Sequence, residues 1–355
     1  MNLKSRLRRL LYPEINLILG IDIDSDSLKL SEVRYRKGMK PYFKNFAIEA
    51  IPQGLVDNGY IINEAGFIDF FKEILARNFF TTQYAVVSIN SRDMVLRQIE
   101  LPLMAHTEAR EVLRWDLEKY VPSAANEEHY YDMHVLSESS ETKLMRILLV
   151  AVPKRIVDSL MVVMREGGLK LLAVDSEVLA LGRTVPSEGN RIVVDIDRLY
   201  TKIIVFESGV PMISRLIALG WDRVEDVLKK LSERAARTEI PEIDAVQPDE
   251  LTEHDNERLN LFVDDLTRDI IRTITYFQST NPMSTIDKFL LIGENLSDRE
   301  ITSRFESRLR MQVDVVNLFD SFNINSVFKR EFLKQYETQL MISVGLALWG
   351  EGDIV

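Results

Sequence analysis

The sequence contains no cysteine among its 355 residues, which excludes disulfides, thiolate metal sites and cysteine nucleophiles. No apolar run approaches the ~20 residues that a membrane-spanning helix requires. The P-loop, His-Glu-x-x-His, Gly-x-Ser-x-Gly and Gly-x-Gly-x-x-Gly signatures are also missing, and with only four histidines we expect no nucleophilic triad. The 44 basic residues are outnumbered by 55 acidic ones, and the net charge of −11 argues against nucleic acid as the main partner, because phosphate binding requires a basic surface.

One pattern occurs twice in the chain. An apolar run followed by Asp-Ile-Asp is found at 22–24 and again at 195–197, about 170 residues later. In both copies a lysine, Lys29 or Lys202, follows after four residues, and a second apolar strand and a glycine turn come next. Because 355 residues are enough for two domains of ordinary size, the repeat predicts a duplicated α/β fold in which each half opens with the same β-hairpin.

Six segments of the chain resemble, in the same order, the PilM family of type IV pilus assembly proteins, a relative of FtsA in the actin-like superfamily. No single segment is specific, but together they span nearly the whole chain. They are Gly-Ile-Asp-Ile-x-Ser-x-Ser-Leu-Lys (20–29), Ile-Pro-Gln-Gly-Leu-Val-Asp-Asn-Gly (51–59), Arg-Gln-Ile-Glu-Leu-Pro-Leu-Met (97–104), Arg-Trp-Asp-Leu-Glu-Lys-Tyr-Val-Pro (114–122), Val-Asp-Ser-Glu-Val-Leu-Ala-Leu (174–181) and Ser-Val-Gly-Leu-Ala-Leu (343–348).

The resemblance implies an actin-like, ribonuclease H-like α/β fold of two duplicated domains with an inserted 1C-type subdomain. The boundaries that follow for this sequence are a basic arm at 1–14, subdomain 1A at 15–84 and 151–188, subdomain 1C at 85–150, subdomains 2A and 2B at 189–334, and a helix returning to 1A at 335–355. Within 85–150 the residue pattern itself predicts two strands, a helix that ends before Pro122, and a hairpin.

Two charged segments stand apart from the periodic elements. At 1–14, four basic residues accompany four leucines that share one face at helical spacing. This segment fits either a solvated arm or a short amphipathic helix on anionic lipid or a partner. At 239–257, eight acids and two prolines occur without any Lys or Arg. That composition predicts a solvated loop, with a docking segment for a basic partner as the alternative.

In actin-like proteins the two hairpins hold the phosphates of ATP through backbone N–H groups, and glycine follows each Asp-Ile. Here Asp24 and Asp197 stand at those glycine positions, and Glu294 replaces the second glycine of a third motif at Gly293. A carboxylate ~4 Å from a phosphate charge costs about 1 kcal/mol in water and roughly 4 kcal/mol at a half-buried site. The expectation is a degenerate nucleotide site, a pseudo-ATPase, with no cofactor.

ATP or ADP with Mg²⁺ is the alternative cofactor, with Asp22 and Asp195 as contacts for magnesium-bound water. Three outcomes stay open: no useful ATP binding, binding without turnover, and a working ATPase. Two alternatives for the carboxylates themselves are that they hold a divalent cation, or that they pair with Lys29, Lys202 and neighbouring arginines or face water. The residues that the resemblance places at this site are Asp22, Asp24, Ser25, Ser27, Lys29, Asp195, Asp197, Thr201, Gly293 and Glu294.

In the PilM family the protein captures the cytoplasmic N-terminal tail of PilN, an inner-membrane protein with one span, in a groove between subdomains 1A and 1C. The residues that the resemblance places near this groove are Arg97, Ile99, Leu101, Pro102, Trp115 and Tyr120. For Trp115 and Tyr120, the core of the subdomain is the alternative location.

The function implied is that of a cytoplasmic scaffold, peripheral to the inner face of the cytoplasmic membrane, which binds a PilN-like tail and self-associates into a ring or dimer. Two alternatives remain open. An active ATPase or kinase of the same fold would need the hairpin glycines that are absent, and an FtsA-like filament would need a membrane tether.

Overall fold

The computed structural model describes residues 16–36, 38–238, 251–293 and 299–350. These residues form two compact units. The first unit comprises the described residues of 1–186, 318–334 and 340–355, and the second comprises those of 187–317 and 335–339. The units differ from the sequence prediction near the C-terminus, because 318–334 belongs to the first unit and 335–339 to the second.

Both units contain strands and helices. The strands are β1 (Leu17–Ile23), β2 (Ser27–Arg34), β3 (Tyr42–Ala50), β4 (Val56–Asp57), β5 (Tyr60–Ile61), β6 (Tyr84–Ile89), β7 (Val95–Pro102), β8 (His129–Ser139), β9 (Leu144–Pro153), β10 (Lys170–Ser176), β11 (Asn190–Ile196), β12 (Thr201–Glu207), β13 (Val210–Ile217), β14 (Lys288–Gly293), β15 (Val313–Val315) and β16 (Asn323–Ile324). The helices are α1 (Glu64–Arg77), α2 (His106–Tyr120), α3 (Lys154–Glu166), α4 (Glu177–Gly182), α5 (Glu225–Thr238), α6 (Glu253–Thr280), α7 (Arg299–Leu309), α8 (Arg330–Lys334) and α9 (Met341–Ala347). Across the described ranges, no helix is long and apolar enough to cross a membrane.

The large sheets of the two units share one topology. The first has the strand order β10-β6-β1-β2-β3-β16, and the second, written in the same direction, has β15-β14-β11-β12-β13. In each sheet the opening strand pairs antiparallel with its hairpin partner and parallel with a strand from later in the unit. The duplication predicted from the repeated Asp-Ile-Asp pattern is therefore confirmed. The first sheet has one extra strand, because β16 pairs with β3 and brings 318–334 into that unit.

The second unit shows why these sequences form strands covered by helices. In β11 every residue from Arg191 to Ile196 is buried, as expected for a central strand covered on both faces. The long helix α6 covers one face, and its apolar residues recur every three or four positions. The α6 residues buried against Ile192 and Val194 in this core include Leu259, Val263, Leu266, Ile270 and Phe277.

The start of α6 corrects the predicted acidic loop. Residues 239–250 lie outside the described ranges, but 253–257 are the first residues of α6. The helix begins there because Thr252 and Asp255 form a capping box, in which each side chain accepts from the other residue's backbone N–H. Acidic residues in the first turn are also stabilised by the positive end of the helix dipole. Acid content alone therefore overestimated the length of the loop.

The segment between β6 and α3 forms a separate three-stranded sheet in the order β7-β9-β8. Its apolar face packs under α2, with Leu113 and Ile147 in a shared core. The sequence prediction began this insert at 85, whereas β6 lies in the six-stranded sheet between β1 and β10. The apolar residues of β6 are buried in that sheet, so the insert begins only after Ile89. Its assignment as a 1C-type subdomain stays a prediction.

The C-terminal part of the chain contains two short helices instead of the predicted single return helix over 335–355. Only α9 within that range is helical, and 351–355 lie outside the described residues. In the first unit α9 packs directly on β1. A Cβ built at Gly20 would lie 1.8 Å from the backbone oxygen of Ser343, and the hydroxyls of Ser31 and Ser343 are 2.7 Å apart.

Candidate functional site

The first hairpin ends β1 with a buried carboxylate. Asp22 is 2% exposed and lies opposite Lys29 in the register of β1 and β2. In the neighbouring strand β6, the hydroxyl of Ser88 donates to Asp22 Oδ1 at 2.8 Å and accepts from the backbone N–H of Ile23 at 3.3 Å. These contacts orient Asp22 within the sheet. Sequence reasoning missed Ser88, because only the parallel pairing of β1 with β6 brings it there.

The turn of the first hairpin is organised around Asp24. The backbone N–H of Asp24 donates to the carbonyl of Ser27 at 2.9 Å and closes the turn. Its Oδ1 accepts from the backbone N–H of Ser25 at 2.7 Å and from Asn90 Nδ2 at 3.1 Å. Its Oδ2 lies 3.9 Å from Lys29 Nζ. The carboxylate at the predicted glycine position is thus held by a backbone donor, an amide and an ammonium.

The second hairpin repeats this arrangement in its own unit. Asp195 is 5% exposed and pairs in register with Lys202. At the turn, the N–H of Asp197 donates to the carbonyl of Tyr200 at 2.9 Å, and Lys202 Nζ donates to Asp197 Oδ2 at 3.3 Å. Thr201 Oγ1 donates to the carbonyl of Leu219 at 2.7 Å, so its hydroxyl stabilises the fold.

The two turns thus match in their side-chain contacts as well as in topology. In each hairpin, the lysine of the second strand lies opposite the first aspartate of Asp-Ile-Asp. Its ammonium lies within 4 Å of the carboxylate of the second aspartate. The lysine side chains are 8% and 7% exposed, and the turn carboxylates 19% and 21%. Neither Asp24 nor Asp197 is among the described residues with a positive φ. The turns therefore form without the conformational freedom of glycine.

The third predicted motif retains a glycine that the fold requires. Gly293 has a φ of +129°, and a Cβ at this position would lie 2.3 Å from the backbone oxygen of Ile196. Its carbonyl accepts from Thr338 Oγ1 at 2.6 Å. Glu294 lies outside the described residues. The close approach of β14 to the end of β11 explains why glycine is needed at 293.

The hairpins fit a triphosphate or a metal ion poorly. Each turn carries a carboxylate where a phosphate would meet like charge, and the donors around that carboxylate already bind it. Where the structure describes the chain, no group of three or more His, Cys, Asp or Glu side chains is placed to hold a metal. In both hairpins a lysine of the second strand lies within ion-pair distance of the turn carboxylate.

The predicted partner residues of β7 separate into two groups. Ile99 and Leu101 are 6% and 2% exposed and belong to the core of the three-stranded sheet. Their side chains pack on the face of the sheet that α2 covers, and their place near a partner stays a prediction. Arg97 and Pro102 are exposed, and Arg97 Nη1 donates to the carbonyl of Tyr120 at 3.2 Å.

Helix α2 presents the other two predicted residues differently. Trp115 is 79% exposed and precedes a break at Asp116, whose φ of −110° and ψ of 16° are not helical. For Trp115 the core alternative is therefore excluded. Tyr120 packs against the apolar core of the three-stranded sheet, so the core alternative describes its side chain. Exposed tryptophan is uncommon on soluble surfaces and frequent at the centres of protein interfaces.

A family model described as "Type IV pilus assembly protein PilM" matches residues 20–351 of this chain. The chain belongs to the PilM family. Among solved structures it is similar to one described as a PilM-PilN type IV pilus biogenesis complex, with a TM-score of 0.74 and 22% identity over 94% of this chain and 98% of that one. It is also similar to the ethanolamine utilization protein EutJ from Carboxydothermus hydrogenoformans, with a TM-score of 0.52 and 13% identity over 93% and 89% of the two chains. The predicted α/β actin-like fold is confirmed.

One further polar network joins strand β5 and helix α3 to two loops of the first unit in this PilM-family chain. The hydroxyl of Tyr60 donates to Asp93 Oδ2 at 2.7 Å and accepts from Arg155 Nη2 at 2.9 Å. The Arg155 guanidinium also lies 4.2 Å from the centre of the Tyr60 ring, and its Nε is 3.0 Å from Glu127. Burial, followed by the bond to Asp93, raises the pKa of Tyr60 to about 12.

Sequence reasoning did not find this network. Its four members lie on one strand, one helix and two loops spread over 60–155, and no spacing rule connects them. The only local signal is weak, because Tyr60 directly follows the loop of the PilM-like segment at 51–59. The network ties the loops at Asp93 and Glu127 to β5 and α3.

Proposed function

We propose that this chain is a cytoplasmic scaffold of type IV pilus assembly, peripheral to the inner face of the cytoplasmic membrane. In this proposal it binds the N-terminal cytoplasmic tail of a PilN-like inner-membrane protein and turns over little or no ATP. Membership of the PilM family and the similarity to a structure that contains PilM and PilN support a role in this system. Self-association into a ring or dimer, and lipid contact through 1–14, belong to the same proposal.

The open edge of β7 is the observation that carries the proposed partner site. Within the described parts of the chain, β7 pairs with β9 alone. The N–H of Leu103 donates to the carbonyl of Lys143 at 2.8 Å. Because hydrogen-bonded pairs alternate along antiparallel strands, Leu96, Gln98 and Glu100 direct their backbone groups away from β9. An extended peptide can pair with such an edge through its main chain.

Exposed side chains near this edge supply contacts that main-chain pairing lacks. Arg97 is held at the C-terminal end of α2 by its bond to the Tyr120 carbonyl, and Trp115 stands on the same helix with most of its ring in solvent. Tryptophan and arginine are the residues most often found to dominate binding free energy at interfaces. We therefore propose Arg97, Pro102 and Trp115 as side-chain contacts of the tail. The side chains of Ile99 and Leu101 are buried in the sheet core, and we do not propose them as contacts.

The proposal is tested with the full-length chain and a labelled peptide of the PilN-like tail from the same organism. Replacing Trp115 by alanine should weaken binding at least tenfold, since truncating an interface tryptophan costs about 2 kcal/mol or more. Arg97→Glu should abolish binding. The control is Met283→Ala, because Met283 is 97% exposed and lies in the other unit. Unchanged affinity in both Trp115→Ala and Arg97→Glu would contradict the proposed site.

The acidic hairpins support the nucleotide part of the proposal. Both turns carry a carboxylate bound to a lysine, and no glycine occupies either position. A titration of fluorescent ATP in the presence of Mg²⁺ should therefore show no saturation at micromolar concentrations. Low-micromolar affinity with phosphate release would favour the ATPase alternative. Nucleotide-dependent pelleting with lipid would favour the filament alternative.

A further inference from the structure

We propose that one edge of the six-stranded sheet in the first unit docks on the anionic surface of a lipid bilayer. This surface, called the basic edge below, consists of the described residues of the β2–β3 turn at 34–40 and of the loop at 78–83 that precedes β6. The inference rests on the proposed function, in which the chain is peripheral to a membrane. It goes further by naming the folded surface that meets the lipid and the headgroup charge that this surface selects.

Strand register brings the two segments of the basic edge to the same end of the sheet. Leu17, the first residue of β1, pairs with Arg34, the last residue of β2, and β6 begins parallel to β1. Thr82 Oγ1 donates to the carbonyl of Leu17 at 2.7 Å, which ties the loop at 78–83 to this end. The turn at Asp24 lies at the opposite end of β1.

The charge of the β2–β3 turn opposes that of the whole chain. In a protein with a net charge of −11, the sequence Arg-Tyr-Arg-Lys-Gly-Met-Lys at 34–40 contains four basic residues and no acid. Arg34, Arg36 and Lys40 are exposed. Lys40 Nζ donates to the backbone carbonyl of Asp320 at 2.7 Å, and the Asp320 carboxylate has an arginine partner of its own. Clusters of exposed Lys and Arg are attracted by anionic lipid headgroups.

Exposed apolar side chains accompany these cations. Met39 in the turn is 61% exposed, and Phe79 in the neighbouring loop is 83% exposed. Phe79 also has a φ of 53°, a left-handed conformation that strains a bulky residue and that asparagine adopts more readily. A strained apolar residue held in solvent indicates a role outside the packing of the fold. Basic residues beside exposed apolar ones are typical of surfaces that enter the boundary between headgroups and acyl chains.

The position at which the N-terminal segment joins the fold favours lipid over an acidic protein as the occupant. The carbonyl of Asn16 accepts from the backbone N–H of Tyr35 at 2.8 Å, beside the basic turn. The basic, leucine-rich sequence at 1–14 is therefore joined to the fold at the basic edge. Two weak membrane-binding elements that reach the same bilayer bind it more strongly than either does alone.

The experiment measures co-sedimentation of the full-length chain with vesicles of phosphatidylcholine and with vesicles that also contain phosphatidylglycerol. Wild-type protein should bind only the anionic vesicles, and added salt should weaken binding. The double variant Arg36→Glu, Lys40→Glu should lower the partition coefficient about 25-fold or more, since each basic residue at the surface contributes about fivefold. The matched control Arg268→Glu, Arg272→Glu changes the net charge equally on exposed residues of α6 in the other unit and should leave partitioning unchanged. Circular dichroism checks the folding of each variant.

A substitution at Phe79 separates lipid contact from stability of the fold. Phe79→Asn should raise the urea midpoint, because asparagine suits the left-handed backbone, and should lower the partition coefficient about tenfold, because an apolar side chain that enters the bilayer is lost. A purely structural role would not change the two quantities in these opposite directions. Met283→Asn is the matched control, because Met283 is 97% exposed, lies in the other unit and has no positive φ. It should change neither quantity.

Three results would overturn the inference: wild-type protein that does not bind anionic vesicles, equal binding to neutral and anionic vesicles, or a folded Arg36→Glu, Lys40→Glu variant that binds like the wild type. Binding to soluble poly-glutamate without binding to vesicles would replace the lipid by an acidic protein.

Tail-peptide binding is measured on the same preparations without lipid, so that the two proposals can fail separately. Loss of vesicle binding with intact peptide binding would identify an effect on the basic edge alone. Failure of the wild type to bind the peptide, with normal vesicle binding, would speak against the proposed partner site and leave the basic edge supported.

Discussion

Replacing Gly20 by alanine tests how closely the C-terminal helix α9 packs on the opening strand. Gly20 begins the Gly-Ile-Asp segment, and its φ is not positive, so alanine suits its backbone conformation. The obstacle is space, since the new Cβ would lie 1.8 Å from the Ser343 oxygen and 2.7 Å from the Ala347 nitrogen. Both are backbone atoms of the helix, which cannot be avoided by rotating a side chain.

The magnitude follows from how far the helix must move. Comfortable contacts between heavy atoms begin near 3.5 Å, so α9 must shift by about 1.5 Å or more. Overpacking of this kind costs about 1–3 kcal/mol, and loss of the buried bond between Ser31 and Ser343 adds about 1 kcal/mol. We expect a total of about 2–4 kcal/mol, a large fraction of the 5–15 kcal/mol that stabilises an ordinary domain.

The assay is urea unfolding followed by far-ultraviolet circular dichroism, with hydrogen exchange in 341–347 as a local readout. Gly38→Ala is the matched control, because Gly38 has a φ of +78° and nothing within 4 Å of the added Cβ. Gly38→Ala should lower the free energy of unfolding by only about 1–2 kcal/mol, because alanine is strained in the left-handed backbone conformation. If Gly20→Ala destabilises the protein no more than Gly38→Ala does, the packing argument is wrong.

Two titrating groups give further predictions, both measured as urea midpoints against pH in the variant and the wild type. The unfolded-state pKa of Tyr60 is 10.0 and its folded pKa about 12, so its contribution is present below pH 10 and is lost as pH rises toward 12. Tyr60→Phe should lower the urea midpoint at neutral pH and reduce its decrease between pH 10 and 12. Curves of midpoint against pH that run parallel in variant and wild type would contradict this. For Asp255, the bond to Lys230 and then the backbone of Thr252 lower the pKa from 3.8 to about 2. The stabilising contribution of Asp255 is present above pH 3.8 and is lost as pH falls toward 2. Asp255→Asn should therefore reduce the decrease of the urea midpoint over that pH range, and an unchanged decrease would count against this explanation.

Much of the fold could be predicted from particular residues. The repeated Asp-Ile-Asp pattern marks the two hairpins, and the order of apolar runs predicts the strands and the long helix α6. The boundaries were less certain where local signals competed. The acids of 253–257 indicated a loop, but the capping box of Thr252 and Asp255 places them in a helix. The run at 84–89 looked like part of the insert until its parallel pairing with β1 was seen.

The sequence predicted which residues stand at the two hairpin turns, but not which side chains contact them. The resemblance directed attention to Asp24, Asp197 and their lysines, and charge alone suggested repulsion of a phosphate. The sequence left open that these carboxylates pair with the lysines, and the tertiary structure shows the two pairs at 3.9 and 3.3 Å and adds Asn90 and the Ser25 N–H as donors to Asp24. On β7, alternation could not distinguish buried from accessible residues, because that depends on which face α2 covers.

The sequence by itself determined the duplicated α/β architecture, the membership in a family, and the acidic character of both hairpin turns. These features depend on residue type and spacing along the chain, which a linear pattern records. The tertiary structure alone decided that Lys29 reaches Asp24, that Ser88 holds Asp22, and that Trp115 remains in solvent. Such contacts join residues far apart in the chain, and their distances follow from strand register and helix packing.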